Sequence, residues 1–322
     1  MTEIAADPTP QASPVSFTAR LHDRRYRLGT AVCLGLDPRP AAHPLTRPER
    51  LGATHVWEDA VLDAVAAYCV AVLDATHDLI AACKPQAAFF EALGPGGMDV
   101  LAQVTARARA LGVPVILDAK RGDIGTTAEA YAQAYLGDGP LAVDAVTVNP
   151  YLGLDTITPF LEAAVRGGRA AYVLVRTSNP GSRDLQRSPL VGGGTLATRL
   201  AADLDEIASG LPADDAGYTP LGAVAGDPSD LAEMRAALPR SPLLVPGYGA
   251  QGARAVDVTD AFDRAGLGAV VNASRSLTYG PGSEAASTFE EVGEFARAAT
   301  LRMRDELEGA LAISLRGSPG KK

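Results

Sequence analysis

Asp118, Lys120, Arg121 and Asp123 place four charges in six positions, at the end of a stretch whose Val115, Ile116, Leu117 and Ala119 are apolar or small. The apolar run reads as a buried strand, along which alternation sends Asp118 and Lys120 to one side and Arg121 to the other. If that strand is the wall of a closed barrel, Asp118 and Lys120 point into its mouth. Thr126-x-x-Glu129 follows with the capping-box pattern that starts a helix. Carboxylates flanking an ammonium at the end of a buried strand are costly to desolvate, and truncating one member of such a cluster costs about 3–5 kcal/mol. Folding alone gives little reason to keep that arrangement; electrostatic or proton-transfer chemistry gives a good one.

Composition points to the same residues. The 322-residue chain has four lysines, Lys84, Lys120, Lys321 and Lys322, and the last two stand in a polar tail. Arginine supplies the remaining positive charge. The two lysines of the folded body both follow apolar strands, where lysine does what arginine cannot: it releases a proton in a suitable site.

A hydrophobic fraction of 47% is enough for a large core, and a net charge of −9 argues against a nucleic-acid surface while leaving room for a local phosphate pocket. Cys33, Cys69 and Cys83 are odd in number, lack metal-type spacing and lie in apolar surroundings, as buried thiols of a reducing compartment do. No apolar run spans a membrane and no signal region opens the chain, so the expected location is cytoplasmic.

The elements that must position these residues alternate. Apolar strands are expected at 30–37, 79–84, 113–118, 145–149, 171–176, 221–226, 243–246 and 269–272. Helical patterns fall at 17–28, 57–78, 97–111, 126–135, 158–166, 195–209 and 287–312. Each strand but the last is expected to be separated from the next by a helix. The expected fold is α/β, a single-domain (β/α)8 TIM barrel over 17–312, with a disordered segment at 1–16 and a flexible polar tail at 313–322. A doubly wound sheet is the alternative, but Asp37-Pro38-Arg39-Pro40 stands where its glycine-rich turn would be. Asp227-Pro228 reads as an N-cap followed by proline at the first helical position.

Barrel active sites sit where strands end. The polar residues there are Asp37, Lys84, Asp118, Lys120, Asp123, Asn149, Ser178, Asp227, Gln251 and Arg275. None is histidine, which speaks against imidazole acid–base chemistry and a histidine metal site. The late loops resemble a phosphate end: 246–252 is glycine-rich, and Arg275 suits bidentate phosphate contact.

Asp118-x-Lys120-x-x-Asp123-Ile124, with Thr127 four residues beyond Asp123, resembles orotidine 5′-phosphate decarboxylase. The form Asp-Ala-Lys-Arg-Gly-Asp-Ile-Gly is similar to the longer bacterial branch of that family. The resemblance runs from Asp37 through Arg275. It implies conversion of orotidine 5′-monophosphate to UMP and CO₂ in pyrimidine biosynthesis, with no cofactor and no metal. It further implies that Asp37 and Lys84 meet the ribose and extend the charged array of Asp118, Lys120 and Asp123. Ser178 would contact the pyrimidine, and Pro246, Gln251 and Arg275 would close on the 5′-phosphate. Asp123 and Thr127 would reach the site of a second subunit, making a homodimer with shared active sites. Two rival readings stand beside it: Mg²⁺-dependent sugar-phosphate decarboxylases and aldolases, which need a carboxylate near the second strand where this chain has Lys84, and a catalytically dead nucleotide sensor.

Overall fold

A computed structural model describes residues 14–248 and 254–316. Its strands are β1 (Val32–Leu36), β2 (Ala82–Pro85), β3 (Ile116–Arg121), β4 (Ala145–Val148), β5 (Ala170–Arg176), β6 (Leu221–Ala225), β7 (Leu243–Val245) and β8 (Ala269–Ala273). They are paired in parallel in the order β2-β1-β8-β7-β6-β5-β4-β3. Bridges between Cys83 and Val115 and between Gln86 and Asp118 join β2 to β3, leaving the sheet without a free edge. The barrel is therefore closed, and the doubly wound alternative, which keeps two edges, is excluded.

Around it lie α1 (Phe17–Leu28), α2 (Asp59–Thr76), α3 (Ala87–Glu91), α4 (Pro95–Ala110), α5 (Gly125–Leu136) and α6 (Thr158–Gly167). The second half adds α7 (Ser182–Leu185), α8 (Leu196–Ser209), α9 (Leu231–Ala237), α10 (Arg275–Thr278) and α11 (Phe289–Arg316). No helix among the described residues is long and apolar enough to cross a membrane.

Two cores follow from strand alternation. Cys33, Ala82, Ile116, Ala145, Tyr172, Val224, Leu244 and Val270 fill the barrel interior, while alternate strand residues such as Leu34, Cys83, Leu117, Val146 and Val173 pack outward against the helices. The helix α1 closes the barrel floor: Phe17 stands edge-on to Tyr172 at 6.1 Å, and Leu21 joins the same cluster. Gly222 makes that core possible, because a Cβ there would lie 2.6 Å from the Tyr172 ring.

Several local expectations fail for physical reasons. The capping box at Thr126 is not formed: α5 begins at Gly125, whose φ of 51° serves the turn into the helix, and the N-cap is Ile124 with no side-chain bond. Among the described residues between β7 and β8, a 3₁₀ turn, Ala255–Ala261, stands in for a helix. At the ends, Ser16 caps α1 by accepting from Ala19 N–H, and α11 continues to Arg316. Asp227 behaves as read, accepting from Ser229 N–H before Pro228–Asp230. It also pairs with the fully buried Arg176 at 2.6 Å.

Candidate active site

The inward register that fills the barrel turns polar one step before the strands end. Along β2 the inward positions are Ala82, Lys84 and then Gln86; along β3 they are Ile116, Asp118 and Lys120; along β4, Ala145 and Thr147. All eight strands twist these residues toward one mouth, so charges separated by tens of residues in sequence meet.

Asp118 is the centre of the array. Its Oδ2 accepts from Lys84 Nζ at 3.0 Å and Gln86 Nε2 at 2.9 Å; its Oδ1 accepts from Lys120 Nζ at 2.6 Å and Thr147 Oγ1 at 3.0 Å. Each oxygen thus receives one ammonium and one neutral donor. Burial alone would raise the Asp118 carboxyl, but Lys84 and Lys120 outweigh it and hold the group well below the usual carboxylate range. Burial likewise opposes the charge on Lys84, and Asp118 and Asp37 outweigh that, holding its ammonium above lysine's ordinary value. Asp118 and Lys84 are therefore held in their charged forms, and each stabilises the other.

The array forms the inner wall of a cavity of about 360 Å³. Asp37, Lys84, Asp118, Lys120, Ser178, Pro246 and Arg275 all line it, so seven of the expected residues come together. Four cations (Arg39, Lys84, Lys120 and Arg275) and two anions (Asp37 and Asp118) face it, in a chain whose net charge is −9. This local reversal of sign suits an anionic ligand. Asp37 Oδ1 is buried without a hydrogen-bond partner, the condition of an acceptor awaiting a donor. At the opposite rim, Gly247 (φ 94°) turns the chain after β7, and Arg275, exposed at the start of α10, has no carboxylate partner among the described residues. Gln251 and Gly252 lie outside the described residues.

Asp123 and Thr127 do not line this cavity. The Asp123 carboxylate instead accepts from Ile124 N–H at 2.8 Å, and Thr127 is exposed on the first turn of α5. Asn149 is also outside, its Oδ1 accepting from Tyr151 N–H. Arg121 points away as alternation predicts, pairing with Glu91 and facing the rings of Tyr131 and Tyr135.

Sequence reasoning missed Gln86 and Thr147. Gln86 carried a signal, since it stands two residues beyond Lys84 and so shares its face. Thr147 carried a fainter one: it is the sole polar residue of β4, fully buried between Val146 and Val148.

The profile described as Orotidine 5'-phosphate decarboxylase / HUMPS family matches residues 30–288. The chain is 43% identical over 306 residues to the orotidine 5′-phosphate decarboxylase of Rhodopirellula baltica, a match covering 92% of this chain and 100% of that one. It is 43% identical over 300 residues to that of Deinococcus radiodurans, covering 92% and 99% respectively. The solved Leishmania donovani OMP decarboxylase superposes with a TM-score of 0.71 at 32% identity, covering 92% of this chain and 99% of that one.

Proposed function

The chain belongs to the orotidine 5′-phosphate decarboxylase family, and on that premise we propose that Lys120 and Asp118 carry its chemistry. The enzyme is a carboxy-lyase that converts orotidine 5′-monophosphate to UMP and CO₂. The C6–carboxylate bond breaks, its electron pair stays on C6, and a proton must then reach that carbon. No electron sink in the pyrimidine delocalises the pair, so stabilisation has to be electrostatic. Lys120 supplies a fixed cation beside C6 and then the proton. Asp118 meets the departing carboxylate as a like charge; at about 4 Å and an effective dielectric near 20 the repulsion is on the order of 4 kcal/mol. It vanishes as neutral CO₂ leaves, while the attraction of Lys120 for C6 grows. The observation that carries this reading is the Asp118 carboxylate clamped between two ammonium groups in the cavity wall. A spectrophotometric assay with orotidine 5′-monophosphate tests it directly; no loss of substrate absorbance would overturn it.

In this reading Asp37 and Lys84 hold the ribose hydroxyls, Ser178 the pyrimidine, and Pro246, Gln251 and Arg275 the 5′-phosphate. Remote phosphate binding then offsets the strain at C6. Arg275→Ala is expected to lower kcat/KM for the nucleotide by roughly 10–100-fold, the worth of one charge-assisted contact. The phosphate-free nucleoside should be affected far less. Equal losses for both substrates would remove Arg275 from the phosphate site.

The reaction as drawn needs no metal, since Lys84 Nζ sits 3.0 Å from Asp118 Oδ2, where the sugar-phosphate branch would require a metal-binding carboxylate. Activity is accordingly expected to survive exhaustive EDTA; full loss restored by Mg²⁺ would reassign the protein to that branch. A cytoplasmic setting fits the three buried, unpaired thiols of Cys33, Cys69 and Cys83.

The proposal includes a homodimer in which Asp123 and Thr127 enter the partner's site. Their position outside their own cavity supports this. So do the exposed Ile124, Tyr151 and Leu152 on adjoining loops, where a Cβ on Gly122 would lie 2.7 Å from Asn149 O.

A further inference from the structure

We infer that Thr147 is a positioning residue for the decarboxylation, its hydroxyl fixing both the direction of the Asp118 carboxylate and the backbone turn that delivers Lys120. The inference rests on the assignment of Asp118 and Lys120 as the reacting pair.

The pairing of β3 with β4 is irregular where the chemistry lies. Leu117 pairs with Val146 and Arg121 with Val148, so residues 118–120 stand opposite Thr147 alone. Such a bulge takes backbone N–H groups out of the ladder and leaves them to find other acceptors. Here the N–H groups of Ala119 and Lys120 both donate to Thr147 Oγ1, at 3.0 and 2.9 Å. The hydroxyl's own proton goes to Asp118 Oδ1 at 3.0 Å. One proton and two lone pairs are all that a hydroxyl has, and each is used.

Lys120 has φ of 48° and is the sole non-glycine residue with positive φ among the described residues. A long side chain in that region is strained and persists only where its surroundings enforce it. Thr147 Oγ1 is the acceptor that holds the Lys120 N–H in that conformation. It therefore couples three things: the left-handed turn, the reach of the Lys120 ammonium, and the facing of Asp118 toward the cavity. Nothing else on β4 can do so, because Ala145, Val146 and Val148 have no side-chain oxygen.

Thr147→Val keeps the shape and removes the acceptor and donor, whereas Thr147→Ser keeps the hydroxyl and loses a methyl group. Both are compared with the full-length wild type in steady-state decarboxylation, UMP titration calorimetry and thermal melting. Thr147→Val is expected to lower kcat by roughly 100-fold, the usual cost of a reacting group displaced by about 1 Å. UMP affinity should stay within about threefold, because binding contacts lie elsewhere in the cavity and a loss confined to kcat marks a transition-state defect. Thr147→Ser should stay within about fivefold of wild type in kcat, since the oxygen remains. The inference is overturned if Thr147→Val retains wild-type kcat, if Thr147→Ser loses as much as Thr147→Val, or if UMP affinity falls in step with kcat. Should Thr147→Val fail to fold, Thr147→Cys, similar in size with a weakly bonding sulfur, replaces it under the same criteria. A wild-type enzyme inactive on orotidine 5′-monophosphate would overturn the parent reading as well, and that control is read before any variant.

Discussion

Lys120→Ala is expected to reduce kcat by about 10⁵-fold or more, from the loss of two separate contributions. A cation about 4 Å from the developing carbanion, at an effective dielectric near 20, contributes on the order of 4 kcal/mol, or roughly a thousandfold in rate. General-acid delivery of the proton to C6 adds about 10²–10⁴-fold. The fold should survive the change. The Lys120 side chain is 44% exposed, so its ion pair with Asp118 is partly screened by solvent. Asp118 also keeps Lys84, Gln86 and Thr147 as donors. UMP binding, which uses the rest of the cavity, should therefore persist. Single-turnover kinetics beside UMP calorimetry separates the two quantities. A kcat within about tenfold of wild type would mean that another group stabilises C6, and the proposed mechanism would be wrong.

The second large effect is a recovery. Lys120→Ala and Asp123→Ala should each be inactive alone, and mixing them should restore activity if the dimer shares its sites. In a mixed dimer one site receives both lesions and the other receives neither. With random exchange between equal amounts, about half the dimers are mixed, so about a quarter of the sites are intact. The geometry invites this test because Asp123 and Thr127 lie on the turn into α5, beyond the cavity that holds Lys120. Native mass spectrometry establishes that mixed dimers have formed. If they form and activity stays at the baseline of the single variants, Asp123 acts within its own chain and the shared-site arrangement fails.

Much of the molecule was legible before folding because its signals are periodic and local. The strands are short apolar runs whose alternation follows from backbone pleating, so the inward face of β3 could be read from Ile116, Asp118 and Lys120 alone. The same rule, carried two residues past Lys84, would have found Gln86. The scarcity of lysine marked Lys84 and Lys120, and the structure sets both ammonium groups against Asp118. Caps were less legible. Thr126 and Glu129 had the right spacing for a capping box, yet Gly125 at φ 51° moved the helix start and put Thr126 inside its first turn.

The sequence by itself thus determined the alternating (β/α) architecture and the inward charges of β2 and β3. Only the tertiary structure decided how Asp118 is satisfied and how Lys120 is aimed. The four donors to Asp118 come from β2, β3 and β4, and Thr147 meets the 118–120 bulge only because closing the barrel sets β4 in a particular register. Strand alternation correctly put Lys120 on the side of Asp118, but an ideal strand would not carry it with φ of 48°. That angle is a non-local outcome: two N–H groups shed from the ladder find a hydroxyl 27 and 28 positions away along the chain, and no local pattern encodes that meeting.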